Sequence, residues 1–303
     1  MKNIFIFTIL LFSMLKGIVM ADSLRVVASI KPIHSIVSYI MHGVGKPSLL
    51  VKNNSSPHDY SLRPSDIIML ENADIIFWIG PNMETFLEKP LTSLNKTSNV
   101  IILSNCSNLH KILLYKRDKK LLKSYQHEKD INNYIYDMHL WLDPVNAKHM
   151  ANVIAMELIK RDPNNQKKYE KNKQDFLTKL DKLDNSLSEL LYSVQGKKIV
   201  VFHGAYRYFE HRYRINIIES IMPKSVLPGA KSFQRIKNLI TSEDVSCVFY
   251  EPEFDPKMIR SITDGTDVAV AMLDPEGILL PAGPDLYFKL MTNLATSLKK
   301  NCL

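Results

Sequence analysis

The sequence predicts an α/β protein of two similar lobes, each with a mainly parallel sheet, joined by one long rigid helix. Three observations predict it. Short apolar runs bounded by turn residues alternate with stretches of helical periodicity, both before residue 105 and after residue 197. The run at residues 74–80, Asp-Ile-Ile-Phe-Trp-Ile-Gly, has almost no polar face, which suits a parallel strand covered on both sides. Between the two halves, nothing breaks a helix from Pro163 to Val194.

In order, residues 24–30 read as a strand around Val26 and Val27. Lys31-Pro32 ends it, and residues 33–41 form a helix with Ile33, Ile36, Val37 and Ile40 on one face. Residues 49–51 are a short strand leading into a turn-rich loop, Ser56-Pro-His-Asp-Tyr-Ser-Leu-Arg-Pro-Ser-Asp66. A helix follows over residues 64–72, with Ser61 expected as cap, Pro64 in the first turn and Asp66 at the positive helix end. Residues 74–80 are a strand, residues 83–87 start a helix, and residues 100–103 are a strand. Residues 105–137 read as a long polar connection, the kind that is usually functional or mobile. Asp143-Pro144 opens a helix with Ala147, Met150, Val153, Ile154 and Leu158 on its apolar face.

The long helix starts at Asp162-Pro163, and its apolar positions Phe176, Leu180, Leu183, Leu187, Leu190, Leu191 and Val194 recur every three or four residues. At 1.5 Å per residue it would be about 48 Å long, enough to span both lobes. The second half repeats the alternation: strand 198–202, helix from 206–209, helix 232–240 capped by Ser232, strand 245–250, strand 267–273 and helix 285–298. The expected division is a signal peptide at 1–21, an N-terminal lobe at 22–161, a linker helix at 162–196 and a C-terminal lobe at 197–303.

The signal peptide rests on a basic Met1-Lys2, an apolar run at residues 4–15 too short to span a bilayer, and Val19-Met20-Ala21 before the cleavage point. Cleavage lowers the net charge from +8 to +6, because Lys2 and Lys16 leave. The remaining basic residues are scattered. The densest run, Lys116-Arg117-Asp118-Lys119-Lys120, has no interleaved aromatics, so nucleic acid is not an expected partner. An exported chain with three cysteines can pair two of them. A Cys247–Cys302 bridge would fasten the last helix to a core strand; pairings that use Cys106 stay open.

Three histidines share a setting. His58 lies in the turn-rich loop, His139 in Asp-Met-His-Leu-Trp-Leu-Asp-Pro and His203 in Val-Val-Phe-His-Gly-Ala-Tyr, each beside an apolar strand run. Asp274 closes another such run. Three neutral imidazoles with one oxygen ligand or water suit tetrahedral zinc, and no set of thiolates has metal spacing. The expected site is one metal ion shared by these three imidazoles; the family resemblance described next implies that it lies in the cleft between the lobes. The other histidines read as surface or packing residues.

The segments His58-Asp-Tyr-Ser-Leu-Arg-Pro-Ser-Asp66, Asn72-Ala-Asp74, Trp78-Ile-Gly-Pro-Asn-Met-Glu84, His139-Leu-Trp-Leu-Asp-Pro144, Phe202-His-Gly-Ala-Tyr-Arg-Tyr-Phe209 and Glu251-Pro252 resemble zinc-specific periplasmic solute-binding proteins of bacterial high-affinity zinc ABC importers, the cluster A-I type. The resemblance runs along nearly the whole mature chain. It implies two α/β lobes on one long helix and His58, His139 and His203 as ligands. It also implies a Cys247–Cys302 disulfide, Zn2+ as cargo, and delivery to an inner-membrane ABC permease by a periplasmic monomer that is not an enzyme. Pro57 stands where relatives can carry an acidic fourth ligand, so that position falls to Asp274 or water. The connection at 105–137 is lysine-rich and holds only His110 and His127, unlike the His-rich loops of relatives. A manganese or iron binder of the same fold is the alternative. A secreted zinc hydrolase is the more distant one, since no His-Glu-x-x-His helix or nucleophile elbow is present.

Overall fold

The computed structural model describes residues 24–52, 56–58, 60–93, 99–113, 136–222, 229–254 and 256–303. The expected signal peptide, the basic run Lys116–Lys120, His127 and most of the long connection lie outside them. No helix among the described residues is long and apolar enough to cross a membrane.

The first lobe contains β1 (Val26–Ala28), α1 (Lys31–Ile40), β2 (Ser48–Leu49), α2 (Pro64–Glu71), β3 (Ile75–Trp78), α3 (Thr85–Ser93) and β4 (Asn99–Ile102). The strands pair in parallel in the order β2-β1-β3-β4. All four residues of β3 are buried, as its unbroken apolar sequence requires. Beyond β3 the chain turns at Gly80, whose φ of 144° and close approach to Ser104 Oγ leave no room for a side chain. The buried Glu84 carboxylate secures this turn, accepting bonds from Ser29 Oγ (2.5 Å), Ile79 N (3.1 Å) and Gly80 N (2.9 Å).

The second lobe contains β5 (Lys198–His203), α6 (Arg207–Tyr213), β6 (Asn216–Met222), α7 (Ala230–Ser242), β7 (Cys247–Tyr250), α8 (Pro256–Thr263), β8 (Ala269–Met272) and α9 (Leu286–Cys302) after an intervening pair of helices described below. Its strands are again all parallel, in the order β6-β5-β7-β8. The centre-outward order is the same in both lobes, so the similar layout of the two halves is a real topological match.

Several local expectations change. Strand β6 was not expected. Its pairing with β5 shifts register between Ile199 and Val200, and this bulge spoils the two-residue alternation of Ile215, Ile217, Ile218 and Ile221. The chain enters β6 through Arg214, held left-handed at φ 56°, which ends α6. Helix α8 was also not expected; Ile259 and Ile262 seat it on the second lobe's core. Ser61 does not cap α2. Pro64 occupies the first helical position, so Arg63 is the cap residue, and Asp66 accepts from Arg63 N (2.9 Å) and Tyr60 Oη (2.8 Å). Ser232 lies inside α7, which starts two residues earlier behind Gly229.

Between the lobes run α4 (Pro144–Arg161) and α5 (Gln166–Leu191). Short 3-10 turns at Pro163–Asn165 and Tyr192–Val194 flank α5, so the predicted helix at 163–194 is present with tightened ends. Its 26 residues span about 39 Å. Tyr169, Phe176, Leu180, Leu187 and Leu191 form its buried stripe. That stripe packs on α1, α4 and α9, and one apolar cluster runs from β1 through α1, α4 and α5 into β5, α6 and α9. Two buried polar residues pin the helix. Asn172 donates to the carbonyls of Ile40 (2.8 Å) and His42 (2.9 Å), closing the end of α1. Asp184 receives Arg212 and Tyr213 Oη (3.0 Å) from α6.

Further bonds tie the first half of the chain to α9 and the segment before it. Lys31 Nζ donates to the carbonyls of Ile278 (2.5 Å), Leu280 (2.9 Å) and Gly277 (3.3 Å). Ser35 Oγ accepts from Tyr287 N at 2.9 Å, and Tyr287 Oη donates to the Trp141 carbonyl at 2.7 Å.

The Cys247–Cys302 disulfide links β7 to the last residues of α9, as expected, and Cys106 is free. It closes a loop across a sequence separation of 55 residues. Reducing it, or replacing Cys302→Ser, should lower unfolding stability by about 2–4 kcal/mol. Denaturant melts with and without reductant check this, and unchanged midpoints would contradict it.

Candidate metal centre

Three segments far apart in sequence meet at one point. His58 sits in the loop between β2 and α2, His139 just before the 3-10 turn Leu140–Leu142, and His203 at the end of β5. Each offers one ring nitrogen, and these three atoms lie within 4.8 Å of one another. The ring centroids are 5.6 Å (His58–His139), 5.3 Å (His58–His203) and 5.1 Å (His139–His203) apart. This is the only group of three or more His, Cys, Asp or Glu with such spacing among the described residues.

Two carboxylates orient two of the rings. Asp137 Oδ1 accepts from His139 Nδ1 at 2.7 Å and from the His139 backbone at 2.9 Å. Glu251 Oε2 lies 3.4 Å from His203 Nδ1. With Nδ1 directed at a carboxylate, each ring keeps Nε2 as its ligand atom. This is the arrangement in which an acid fixes the tautomer of a metal-binding imidazole. Nε2 of both His58 and His139 is buried without a hydrogen-bond partner. Buried polar atoms are rarely left so, and a cation at the centre would satisfy them.

Three consecutive residues contact the two acids in turn, one through its carboxylate, one at ion-pair distance and one through its backbone carbonyl. Tyr206 Oη donates to Glu251 Oε1 at 2.7 Å. Arg207 Nη1 lies 3.8 Å from Asp137 Oδ2. Tyr208 Oη donates to the Asp137 carbonyl at 2.7 Å and accepts from Ile112 N at 3.1 Å.

The electrostatics differ among the rings. Burial pushes the His58 imidazole down to about 3, reinforced by its two neighbouring rings, so it is neutral and available as a ligand. Burial also acts against charge on His203, yet Glu251, and then Asp137 and Glu253, hold it above the usual imidazole value. Burial raises Asp137 in the same way, but the His139 imidazole and Arg207 bring it below the usual carboxylate range. Burial and then Glu251 push Glu253 up to about 7.

Asp274 stands outside the group of three. Its Oδ1 accepts from Ile278 N at 2.8 Å and its Oδ2 from Leu279 N at 3.0 Å, so both oxygens serve the turn after β8. Sequence reading overlooked Asp137 and the role of Glu251. Both were legible in part: Asp137 precedes His139 by two residues, and Glu251 directly follows β7.

Two parallel α/β lobes on one long helix, with an imidazole cluster of metal-holding dimensions, define the class of a two-lobed metal-ion-binding protein. Comparison with known proteins makes this specific. The family described as zinc-uptake complex component A, periplasmic (ZnuA), matches residues 26–301. The high-affinity zinc uptake system protein ZnuA of Brucella abortus is 40% identical over 307 aligned residues, covering 92% of this chain and 91% of that one. The protein of the same description from Yersinia pestis is 33% identical, covering 90% and 89%. Among solved structures, a crystal structure of ZnuA superposes with a TM-score of 0.80 at 24% identity, covering 93% of this chain and 100% of that one. The periplasmic zinc-binding protein TroA of Treponema pallidum superposes with a TM-score of 0.80 at 20% identity, covering 93% and 99%. This chain belongs to the ZnuA family of zinc-uptake components.

Asp137→Asn keeps the shape of the acid but weakens its hold on the His139 proton. It should weaken zinc binding by about 10–100-fold with the far-UV circular dichroism unchanged. Tyr206→Phe should act in the same direction through Glu251. Competition titrations against a chelator of known affinity check both; parent-like affinity in Asp137→Asn would show that the acid is not needed to orient the ring.

Proposed function

We propose that this protein is exported to the periplasm by its residues 1–21 and captures Zn2+ there. It then passes the ion as a monomer to an inner-membrane ABC permease. The ligands are His58, His139 and His203, and the protein binds and releases its cargo without catalysis. The observation that carries this reading is the convergence of three buried ring nitrogens, two of them with no other partner. Imidazole donors favour zinc over magnesium or calcium. Membership of the ZnuA family supports the same cargo. The working division is an N-terminal lobe at 22–161, a linker helix at 162–196 and a C-terminal lobe at 197–303.

The fourth coordination position goes to water rather than to Asp274, which is not among the residues whose ligand atoms lie within 4.8 Å of one another and whose oxygens each accept a backbone amide. Asp274→Ala should therefore change the zinc Kd by less than about threefold, below ~0.7 kcal/mol. A loss of tenfold or more would make Asp274 a ligand after all.

Each of His58→Ala, His139→Ala and His203→Ala should cost more affinity than the ~10–100-fold typical of losing an orienting partner. Isothermal titration of the three variants tests the assignment, and parent-like binding in all three sinks it. Metal analysis of protein purified without added metal separates zinc from manganese or iron.

Affinity should fall with falling pH, because binding needs deprotonated rings. The sign follows from the two shifts. His203 is held above its ordinary value, so a proton competes with the ion there already above the usual imidazole range. His58, pushed down to about 3, does not compete near neutrality. Titrations between about pH 8 and about pH 5, spanning the imidazole range, should show a steady loss. His203→Ala, besides binding weakly, should flatten the upper part of that profile; an unaltered profile would place the competing proton on another group.

A further inference from the structure

Residues 275–287 belong to the second half of the chain, yet the first half grips them. Helix α1 does so at two positions one turn apart. Lys31 Nζ donates to the carbonyls of Ile278 (2.5 Å), Leu280 (2.9 Å) and Gly277 (3.3 Å), which occupies the three hydrogens of an ammonium group. Ser35 Oγ donates to the Pro284 carbonyl at 3.1 Å and accepts from Tyr287 N at 2.9 Å. Between these grips Gly277 stands at φ 68°, and a side chain there would meet Leu286 at 3.1 Å and Leu290 at 3.3 Å.

The same segment holds Trp141, and Trp141 stands beside a ring of the metal centre. The indole is fully buried, in the 3-10 turn two residues after His139. Its Nε1 donates to the Pro275 carbonyl at 2.8 Å, and the Trp141 carbonyl accepts from Tyr287 Oη at 2.7 Å. Side chain and backbone of Trp141 are thus tied to opposite ends of the gripped segment. The indole lies 5.3 Å from the His139 ring, centroid to centroid, at an interplanar angle of 59°. Asp137 holds the His139 ring through Nδ1 alone, and a single hydrogen bond leaves a ring free to pivot about that contact. A packed aromatic neighbour limits the pivot, provided that the neighbour is itself fixed. The bond to Pro275 supplies that condition.

Resting on the reading of His139 as a zinc ligand, we propose that Trp141 and Lys31 are positioning residues for its ring, acting from opposite halves of the chain through the segment that joins β8 to α9. Lys31 fixes the segment at residues 277–280, Pro275 fixes the indole, and the indole fixes the imidazole. Neither residue needs to touch the ion. A ligand ring that swings away lets a bound ion leave sooner, so the effect falls on release more than on capture. Lys179 supplies the contrast. It reaches the far end of the same segment, where its Nζ pairs with the exposed Asp285 at 2.8 Å, away from the bond between Pro275 and Trp141.

The test follows zinc release by chelator chase from the untagged mature protein and three variants. Trp141→Phe keeps an aromatic ring without the N–H, Lys31→Met keeps the stem without the ammonium, and Lys179→Met is the control. Trp141→Phe and Lys31→Met should each release zinc about tenfold faster than the parent, the lower end of what losing an outer-shell partner costs, and Lys179→Met should stay within about twofold. A second readout is the ring-nitrogen resonance of His139 in the zinc-free protein labelled with 15N-histidine. The parent should show one sharp ring pattern with the proton on Nδ1, and the two positioning variants should broaden or split it, which a loss of stability alone would not do. Should Trp141→Phe fail to fold, Lys31→Met, changed at a half-buried position, decides by the same two readouts. The proposal is overturned if both variants release zinc within about twofold of the parent rate, if Lys179→Met speeds release as much, or if the His139 resonance is unchanged. Parent-rate release from these variants sinks this proposal alone, whereas parent-like affinity in His58→Ala, His139→Ala and His203→Ala sinks the reading beneath it.

Discussion

The burial of one face of α5 is the constraint on which the rest depends. Neither lobe is closed without it: the stripe from Tyr169 to Leu191 supplies a wall shared by α1, α4 and α9. A helix of that length has a polar outer face and gains its stability from packing, not from propensity. Asn172 and Asp184 convert a slippery apolar contact into a registered one, because each has partners at only one position along the seam. Once the seam is set, β5 and the turn before α4 have fixed places, and so have the rings at their ends.

The electrostatics of the centre follow from the same rigidity. Three imidazoles could repel one another if charged, and burial alone would leave them neutral but undirected. Asp137 and Glu251 settle direction by taking one nitrogen of two rings, and the Tyr206-Arg207-Tyr208 run keeps both acids in place. His58 has no such acid among its described contacts. It sits in a loop whose backbone is held at Ser56, and its low basicity comes from its surroundings. The cleft combines two directed donors with one that is merely neutral.

Much of this was legible in the residues. Unbroken apolar runs such as Ile75–Trp78 identify parallel strands, and the absence of any breaker after Pro163 identifies the seam. The three histidines whose rings meet stand beside strands in the sequence and within the segments that carry the family resemblance. What escaped depends on three-dimensional context. The bulge opposite Val200 hides β6 from a period-two search, and α8 is too short to declare itself. Asp274 also follows a strand, but the backbone bonds that its two oxygens accept within the next turn could not be read from its position. Pairings such as Asn146 with His110, or Asp143 with His110, join residues more than thirty positions apart and leave no local pattern.

The meeting of rings from residues 58, 139 and 203 has a further consequence for the lifetime of the molecule. An ion held there is a cross-link among three segments that the covalent chain connects only through long detours. Anything bound to the folded form alone adds RT ln(1 + [L]/Kd) to its resistance to unfolding, about 4.1 kcal/mol at a thousandfold excess over Kd. A filled carrier is then also the more durable one. In a compartment patrolled by proteases, scarcity of cargo would shorten the survival of the empty vessel as well as slow its traffic.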